Sequence, residues 1–278
     1  VSMPIEVDWR QAWIDAQKAR RRADDSAYWD KRAPSFAKTC GTSPYARTFI
    51  ERARLEEGET VLDMGCGSGT LAVPLALAGH EVFAADFSPA MIELMMRRAR
   101  VEGVEGLIHP IEMSWDGDWA AAPVCDVAFA SRSIATQDMA AALLKLDAHA
   151  RRRVCITLAT DTSPRADEVL LRAVGRDKDY ASDYVYGMNI LWQLGFQPDL
   201  SYIRSKRASD FVSFEEAIDA TCQIIEATPE ERERLIAYSR AHLHEGVNER
   251  GETVWSYDHV RVTSWAFISW ENRPVYAK

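Results

Sequence analysis

The stretch Val61-Leu62-Asp63-Met64-Gly65-Cys66-Gly67-Ser68-Gly69-Thr70 constrains this chain more than any other. An apolar run ends close to a carboxylate, three glycines follow at alternate positions, and a helical pattern begins at Leu71. That order predicts a strand, a tight loop and a helix N-terminus, the arrangement by which an α/β sheet presents a nucleotide-like ligand at its carboxyl edge. The dinucleotide pattern G-x-G-x-x-G is not met, because the register set by Gly65 and Gly67 reaches Thr70 instead of a third glycine. What is present is D-x-G-x-G-x-G. Asp63 would repel a pyrophosphate and suits a ligand carrying an ammonium group.

These residues resemble the class I S-adenosylmethionine (SAM)-dependent methyltransferases of the small-molecule type. The resemblance is clear from about Glu56 to Thr160 and fair to Ser205. Glu81 to Ala85 form a second apolar run that ends on Asp86, nineteen positions past Gly67. The resemblance makes Asp86 the ribose ligand, since one carboxylate can accept from two hydroxyls. Ser88-Pro89 supplies an N-cap and an N1 proline for the next helix. By the same resemblance the cofactor loop comprises Asp63, Gly65, Cys66, Gly67, Ser68 and Gly69, with Asp86, Phe87, Ser88 and Met91 beyond it. The implied cofactor is SAM and the product S-adenosylhomocysteine (SAH).

The expected fold is a Rossmann-like, doubly wound, mostly parallel seven-stranded sheet of order 3-2-1-4-5-7-6, an order taken from the family. Residues 1–54 form an N-terminal helical arm or lid, residues 55–278 the cofactor-binding core, and residues 208–258 a helical insertion before the last strand. Within the arm, Trp9 and Trp13 share a helical face, and Arg20-Arg21-Arg22 is followed at once by Asp24-Asp25, as on a solvated surface. Tyr28, Trp29 and Tyr45 either close over the cofactor or dock the arm onto the sheet. Helices are expected over Thr70 to Ala78, Pro89 to Val101, Gln137 to Ala150 and 161–196. Strands are expected over Leu107 to Ile111, Val124 to Ala130, Arg153 to Ala159, Asp199 to Ser205 and Arg261 to Trp270. Ser213-x-x-Glu216 and Thr228-Pro229-x-Glu231 announce helices in the insertion.

The turn Met113-Ser114-Trp115-Asp116-Gly117-Asp118-Trp119 corresponds by resemblance to the adenine edge, with Trp115 packing on the ring and Asp116 accepting from its amine. The competing view is a polar surface turn around a buried tryptophan. Ser131-Arg132-Ser133 ends the fourth strand where an Asn-Pro-Pro-Tyr type motif would mark methylation of exocyclic or amide nitrogens, and that motif is absent. Ser131 is placed beside the cofactor. Arg132 either holds a carboxylate or phosphate of the acceptor or is solvated.

Methyl transfer from a sulfonium depends mainly on alignment and exclusion of water, so a shared catalytic residue is not required. A base is needed only for protic acceptors. His259, Tyr257 and Arg132 are the candidates, the first two because they lie just before the last strand. His242-x-His244 has a metal-like spacing but no acidic or cysteine partner in register, so no metal is expected.

Lys plus Arg (33) against Asp plus Glu (42) gives a net charge of −9, which argues against broad contact with a phosphate backbone. The five cysteines are scattered, odd in number and free of C-x-x-C pairing, which fits a reducing compartment. No apolar run approaches a membrane span and no signal-peptide core is present, so a cytoplasmic protein is expected. The leading expectation is a methyltransferase for a small-molecule acceptor, with a homodimer left open. A methyltransferase for RNA or protein comes second. A nicotinamide-dependent oxidoreductase is more remote, since the third glycine is missing and Asp63 is present. The insertion either lines the substrate cavity or serves as a dimerising or stabilising appendage.

Overall fold

A computed structural model describes residues 7–20, 26–36, 43–134, 136–161, 166–176, 182–207, 210–248 and 251–272. The chain divides into two compact units. One comprises residues 1–158, 183–203 and 266–278, the other residues 159–182 and 204–265.

The first unit opens with three helices, α1 (Trp9–Arg20), α2 (Ser26–Phe36) and α3 (Pro44–Ala53). Strand β1 (Val61–Met64) follows, then α4 (Ala72–Leu77), β2 (Val82–Asp86), α5 (Pro89–Val101), β3 (Ile108–Glu112), β4 (Cys125–Ser131), α6 (Met139–Ala148) and β5 (Ala150–Ala159). After α7 (Glu168–Ala173) come α8 (Asp183–Gln193) and β6 (Asp199–Arg207). Helices α9 (Phe214–Ile225) and α10 (Pro229–His242) lead to strands β7 (Leu243–Val247) and β8 (Thr253–Tyr257), and the chain returns through β9 (Arg261–Glu271).

The main sheet has seven strands in the order β3-β2-β1-β4-β5-β9-β6. Strands β1 to β5 pair in parallel, with Asp63 opposite Ala84 on one side and Phe129 on the other. The expected order is therefore observed, with β9 in the place of the seventh strand. All four residues of β1 are buried, because a central parallel strand is covered on both faces. Phe49 of α3 packs edge-on against Phe129 and Phe267, with ring centroids 5.0 and 5.1 Å away. Trp13 is buried, donates from Nε1 to Thr136 O (3.0 Å) and meets the Tyr186 ring, as does Trp9 one turn earlier.

Local signals account for several boundaries. Ser88 caps α5 by accepting from Met91 N–H (3.2 Å), and Pro89 begins the helix as the sequence predicts. Gly79 (φ +92°) follows α4 and lets His80 N–H reach back to Leu75 O, as a glycine just past a helix end does. Helix α4 is shorter than expected, starting at Ala72, because Gly69 and the two residues after it complete the loop.

In the second unit Leu170, Leu171 and Val174 of the α7 segment bury against Ile218, Ile225 and Leu235. Arg176 joins these elements by pairing with Glu231 (2.6 Å) and donating to Ile225 O (2.8 Å). The Thr228–Glu231 capping box forms in full. The Ser213 cap forms too, but Glu216 reaches back to Val212 N–H instead of the cap residue's own. The insertion is not purely helical: β7 and β8 make an antiparallel hairpin, Leu243 opposite Tyr257, extended by a bridge between Phe211 and Trp255. The span 161–196, expected to be helical, contains α7 and α8 among its described residues, and Gly175 (φ +88°) follows the first. No helix among the described residues is long and apolar enough to cross a membrane.

Candidate functional site

The glycine loop is held in shape by the carboxyl end of β2. Gly65 and Cys66 both donate their backbone N–H to Ala85 O, at 2.7 and 3.0 Å. Gly67 N–H donates to Asp86 Oδ2 (2.8 Å). Three loop donors are thus committed within the protein. Asp86 Oδ1 accepts from Ser88 N–H (2.9 Å), which leaves the Asp86 carboxylate fixed by two backbone donors. Burial raises its pKa, against the lowering effect of those donors. A carboxylate held this way keeps lone pairs for hydroxyl groups.

Gly65 needs its missing side chain for a second reason. At φ +76° an added Cβ would lie 2.2 Å from Ser133 Cβ, so the loop and the segment after β4 touch backbone to side chain. Ser133 Oγ completes the junction by donating to Met64 O (2.7 Å). Gly67 (φ +53°) differs, since an added Cβ there would meet nothing within 4 Å. Ser68 is buried, and its carbonyl accepts from Arg98 (2.7 Å).

Asp63 is 1% exposed, and neither of its carboxylate oxygens has a hydrogen-bond partner among the described residues. Burial, and to a smaller degree the charge of Asp86, push its pKa up to about 7. Buried carboxylates are ordinarily paired, so this one marks a place where a positive group belongs. Burial also raises the Cys66 thiol well above its usual value, which makes it an inert wall of the loop.

The arm reaches this edge through α2. Asp30 Oδ1 accepts from Ser88 Oγ (2.6 Å), next to Asp86, while Tyr28 and Trp29 meet edge-to-face with centroids 5.6 Å apart. Tyr45 of α3 is buried, and its hydroxyl hydrogen-bonds Ser131 Oγ and Thr157 Oγ1, both at 2.7 Å. Burial raises its pKa. For Tyr45 the docking role is therefore realised at the ends of β4 and β5. Arg132 lies over the Tyr45 ring, Cζ 4.1 Å from the centroid.

The turn after β3 is fastened to the same edge. Trp115 Nε1 donates to Ser133 O (2.8 Å), Trp119 is buried and donates to Ser114 O (3.0 Å), and Lys145 holds the carbonyls of Trp115 and Gly117. Met113 and Met91 are buried. Asp116 is exposed and accepts from Thr136 Oγ1 (2.9 Å) through one of its oxygens.

Short contacts thus link the glycine loop to Asp86 and Ser133, Asp86 to Ser88, Ser133 to Trp115, and Ser131 to Tyr45. His259 and Tyr257 lie in the second unit. His259 Nε2 faces Asp167 Oδ2 (2.9 Å), and the Tyr257 hydroxyl pairs with Ser239 Oγ (2.8 Å). His242 pairs with Asp258 there (2.8 Å). Sequence reasoning missed Asp30, Ser133 and Thr157. Thr157 had a signal, being a hydroxyl within an otherwise apolar run, Val154 to Ala159. Asp30 and Ser133 had none, because their roles come from tertiary contacts.

Residues 61–153 match the family described as "Methyltransferase domain". An uncharacterised protein of Haemophilus influenzae is 34% identical over 180 residues, covering 64% of this chain and 66% of that protein. Ribosomal protein L11 methyltransferase of Herpetosiphon aurantiacus is 32% identical over 126 residues, covering 39% of each chain. The matches therefore span less than two thirds of these curated relatives. Among solved structures, the YcgJ protein of Bacillus subtilis aligns with a TM-score of 0.53 at 14% identity, over 82% of this chain and 98% of that one, which establishes a common fold. The D-x-G-x-G-x-G loop lies within the matched residues, so residues 61–153 are similar to a methyltransferase domain, on a sheet of the expected strand order.

Proposed function

We propose that this protein transfers the methyl group of SAM to a small-molecule acceptor. The observation that supports the reading is Asp63, a buried carboxylate without a hydrogen-bond partner among the described residues, set beside a glycine loop whose Gly65, Cys66 and Gly67 donors are committed. A dinucleotide phosphate would meet the charge of Asp63 and find the Gly65, Cys66 and Gly67 donors already taken. The residues fit SAM: Asp63 offers negative charge to its ammonium group, Asp86 offers lone pairs to the ribose, and the position of a Gly67 Cβ, with nothing within 4 Å, accommodates close approach of a ligand. Trp115 and Asp116 are assigned to the adenine, and Tyr28 and Trp29 to the arm side of the cofactor.

SAM supplies an electrophilic methyl when bound. The chain's own contribution is alignment and exclusion of water, which in well-oriented systems supplies roughly 7–11 kcal/mol of barrier reduction. The net charge of −9 supports a small acceptor over a nucleic acid. Residues 208–258 are assigned to acceptor selection. Calorimetric titration with SAM, SAH and NAD tests the cofactor. Binding of SAM and SAH without NAD is expected, and NAD binding alone would overturn the assignment. Incubation of a cell extract with SAM bearing a tritiated methyl group tests the acceptor class. Label is expected in the small-molecule fraction, and label in protein or RNA would replace the small-molecule reading.

A further inference from the structure

Helix α5 is capped from two places in the chain, both within the first unit. Pro89 at its first position has no N–H to satisfy, so Ala90 and Met91 are the leading donors of the first turn. Met91 N–H goes to Ser88 Oγ (3.2 Å), the ordinary local cap. Ala90 N–H goes instead to Asp30 Oδ1 (3.4 Å), a residue of α2 that lies 60 positions away. The same oxygen takes the Ser88 hydroxyl hydrogen at 2.6 Å. A carboxylate at this end of a helix is also favoured by the helix dipole. Ser88 is fully buried, and its hydroxyl is thereby used twice, once as donor and once as acceptor.

Ser88 leads directly to Asp86. Its N–H donates to Asp86 Oδ1 (2.9 Å), and Gly67 N–H donates to Asp86 Oδ2 (2.8 Å). One continuous series of hydrogen bonds therefore runs from the arm through Ser88 and Asp86 to the glycine loop. The two Asp86 oxygens are aimed by these donors, and one donor belongs to the residue that Asp30 holds. Ser88 itself has extended backbone (φ −99°, ψ 108°) at the turn from β2 into α5, so its side-chain contacts help to set where its N–H points. Helix α2 packs along α5 and buries Ala33. Apolar burial of that kind holds a helix in place without fixing its neighbour's polar atoms. A 2.6 Å bond from a hydroxyl to a carboxylate does fix them.

We propose that Asp30 is a positioning residue of the cofactor site, acting through Ser88 to hold the Asp86 carboxylate where it meets the ribose hydroxyls. The proposal rests on the methyltransferase reading and on Asp86 as the ribose ligand. Affinity is read by calorimetry for SAH, and by displacement of SAH for adenosine and for 2′,3′-dideoxyadenosine, which lacks both ribose hydroxyls. Asp30→Ala is expected to weaken SAH and adenosine by about three- to tenfold, as for loss of one hydrogen bond, and dideoxyadenosine by less than about twofold. Alanine suits the α2 helix, so the variant should fold. Asp30→Asn keeps an acceptor oxygen for Ser88 and should stay within about twofold of wild type for all three ligands. In an Asp86→Ala background, Asp30→Ala should cost less than about twofold, because the group it positions is gone. An arm that merely docks would move both nucleosides alike and lose affinity in either background, and that result overturns the proposal. So does unchanged SAH affinity in Asp30→Ala, or a wild-type protein that binds the two nucleosides equally. A loss in Asp30→Asn equal to that in Asp30→Ala overturns it too, since the effect would then lie in the charge. Failure of the wild-type chain to bind SAH would instead remove the methyltransferase reading.

Discussion

Asp63 makes the strongest quantitative demand on this protein. Its folded pKa of about 7 stands against a value of about 3.9 in an unfolded chain, a gap of about three units. Because the folded value is the higher one, the folded state binds more protons between those limits. Stability from this group is therefore fullest below pH 4, falls as pH rises toward 7 and is flat above it. At 1.36 kcal/mol per unit the loss is roughly 4 kcal/mol. Asp63→Asn removes the titration, so the stability gap between variant and wild type should open by about that amount from pH 4 to pH 8 in urea titrations. Binding should show the converse. An ammonium group near Asp63 favours its ionised form, so SAH must displace a proton wherever the free site is protonated. At pH 6 about nine-tenths of a proton should be released, and affinity should fall about tenfold per unit below pH 7. Calorimetry in two buffers of different ionisation enthalpy measures the proton directly. No release at pH 6 together with a dissociation constant flat from pH 5 to 8 would refute the role given to Asp63.

Asp86→Ala should weaken SAM binding by about 1.5–3 kcal/mol, read by calorimetry in a variant with unchanged circular dichroism. Gly67→Val should fold with a loss of about 1–2 kcal/mol from its positive φ, since an added Cβ meets nothing within 4 Å among the described residues, yet it should lose SAH binding. Normal binding by that variant would dissociate the loop from the cofactor. Replacing 208–258 with a short glycine-containing turn should abolish turnover and leave much of the SAH affinity. It should also lower the melting temperature, because Leu170, Leu171 and Val174 lose Ile218, Ile225 and Leu235 as neighbours. Full turnover by the folded truncation would make the insertion a stabilising appendage.

Much of the cofactor edge was legible because its chemistry is local. The glycines, Asp63 and Asp86 sit at fixed offsets from strand ends, and the Ser88-Pro89 cap is written in adjacent residues. The insertion's hairpin was harder to see. His244 to Val247 are all exposed, so β7 carries almost no apolar alternation, and only backbone pairing with β8 defines it. The break between α7 and α8 turns on Gly175, which is indistinguishable in sequence from a tolerated glycine within a helix. Tyr45 shows the remaining limit. Its composition-level reading as an aromatic of the arm is sound, but the two hydroxyls that bury it come from strands more than eighty residues away.

The contact between Gly65 and Ser133 has a consequence for redesign. Positions 131, 132 and 133 are adjacent in sequence but differ in what they can tolerate. Ser133 is wedged against the loop, and a larger residue there would displace Gly65 itself. Arg132 projects from the same turn onto the Tyr45 ring. A library that varies 132 while fixing 133 would therefore leave the contact between Gly65 and Ser133 in place. Randomising both together would return mostly variants that have lost the cofactor.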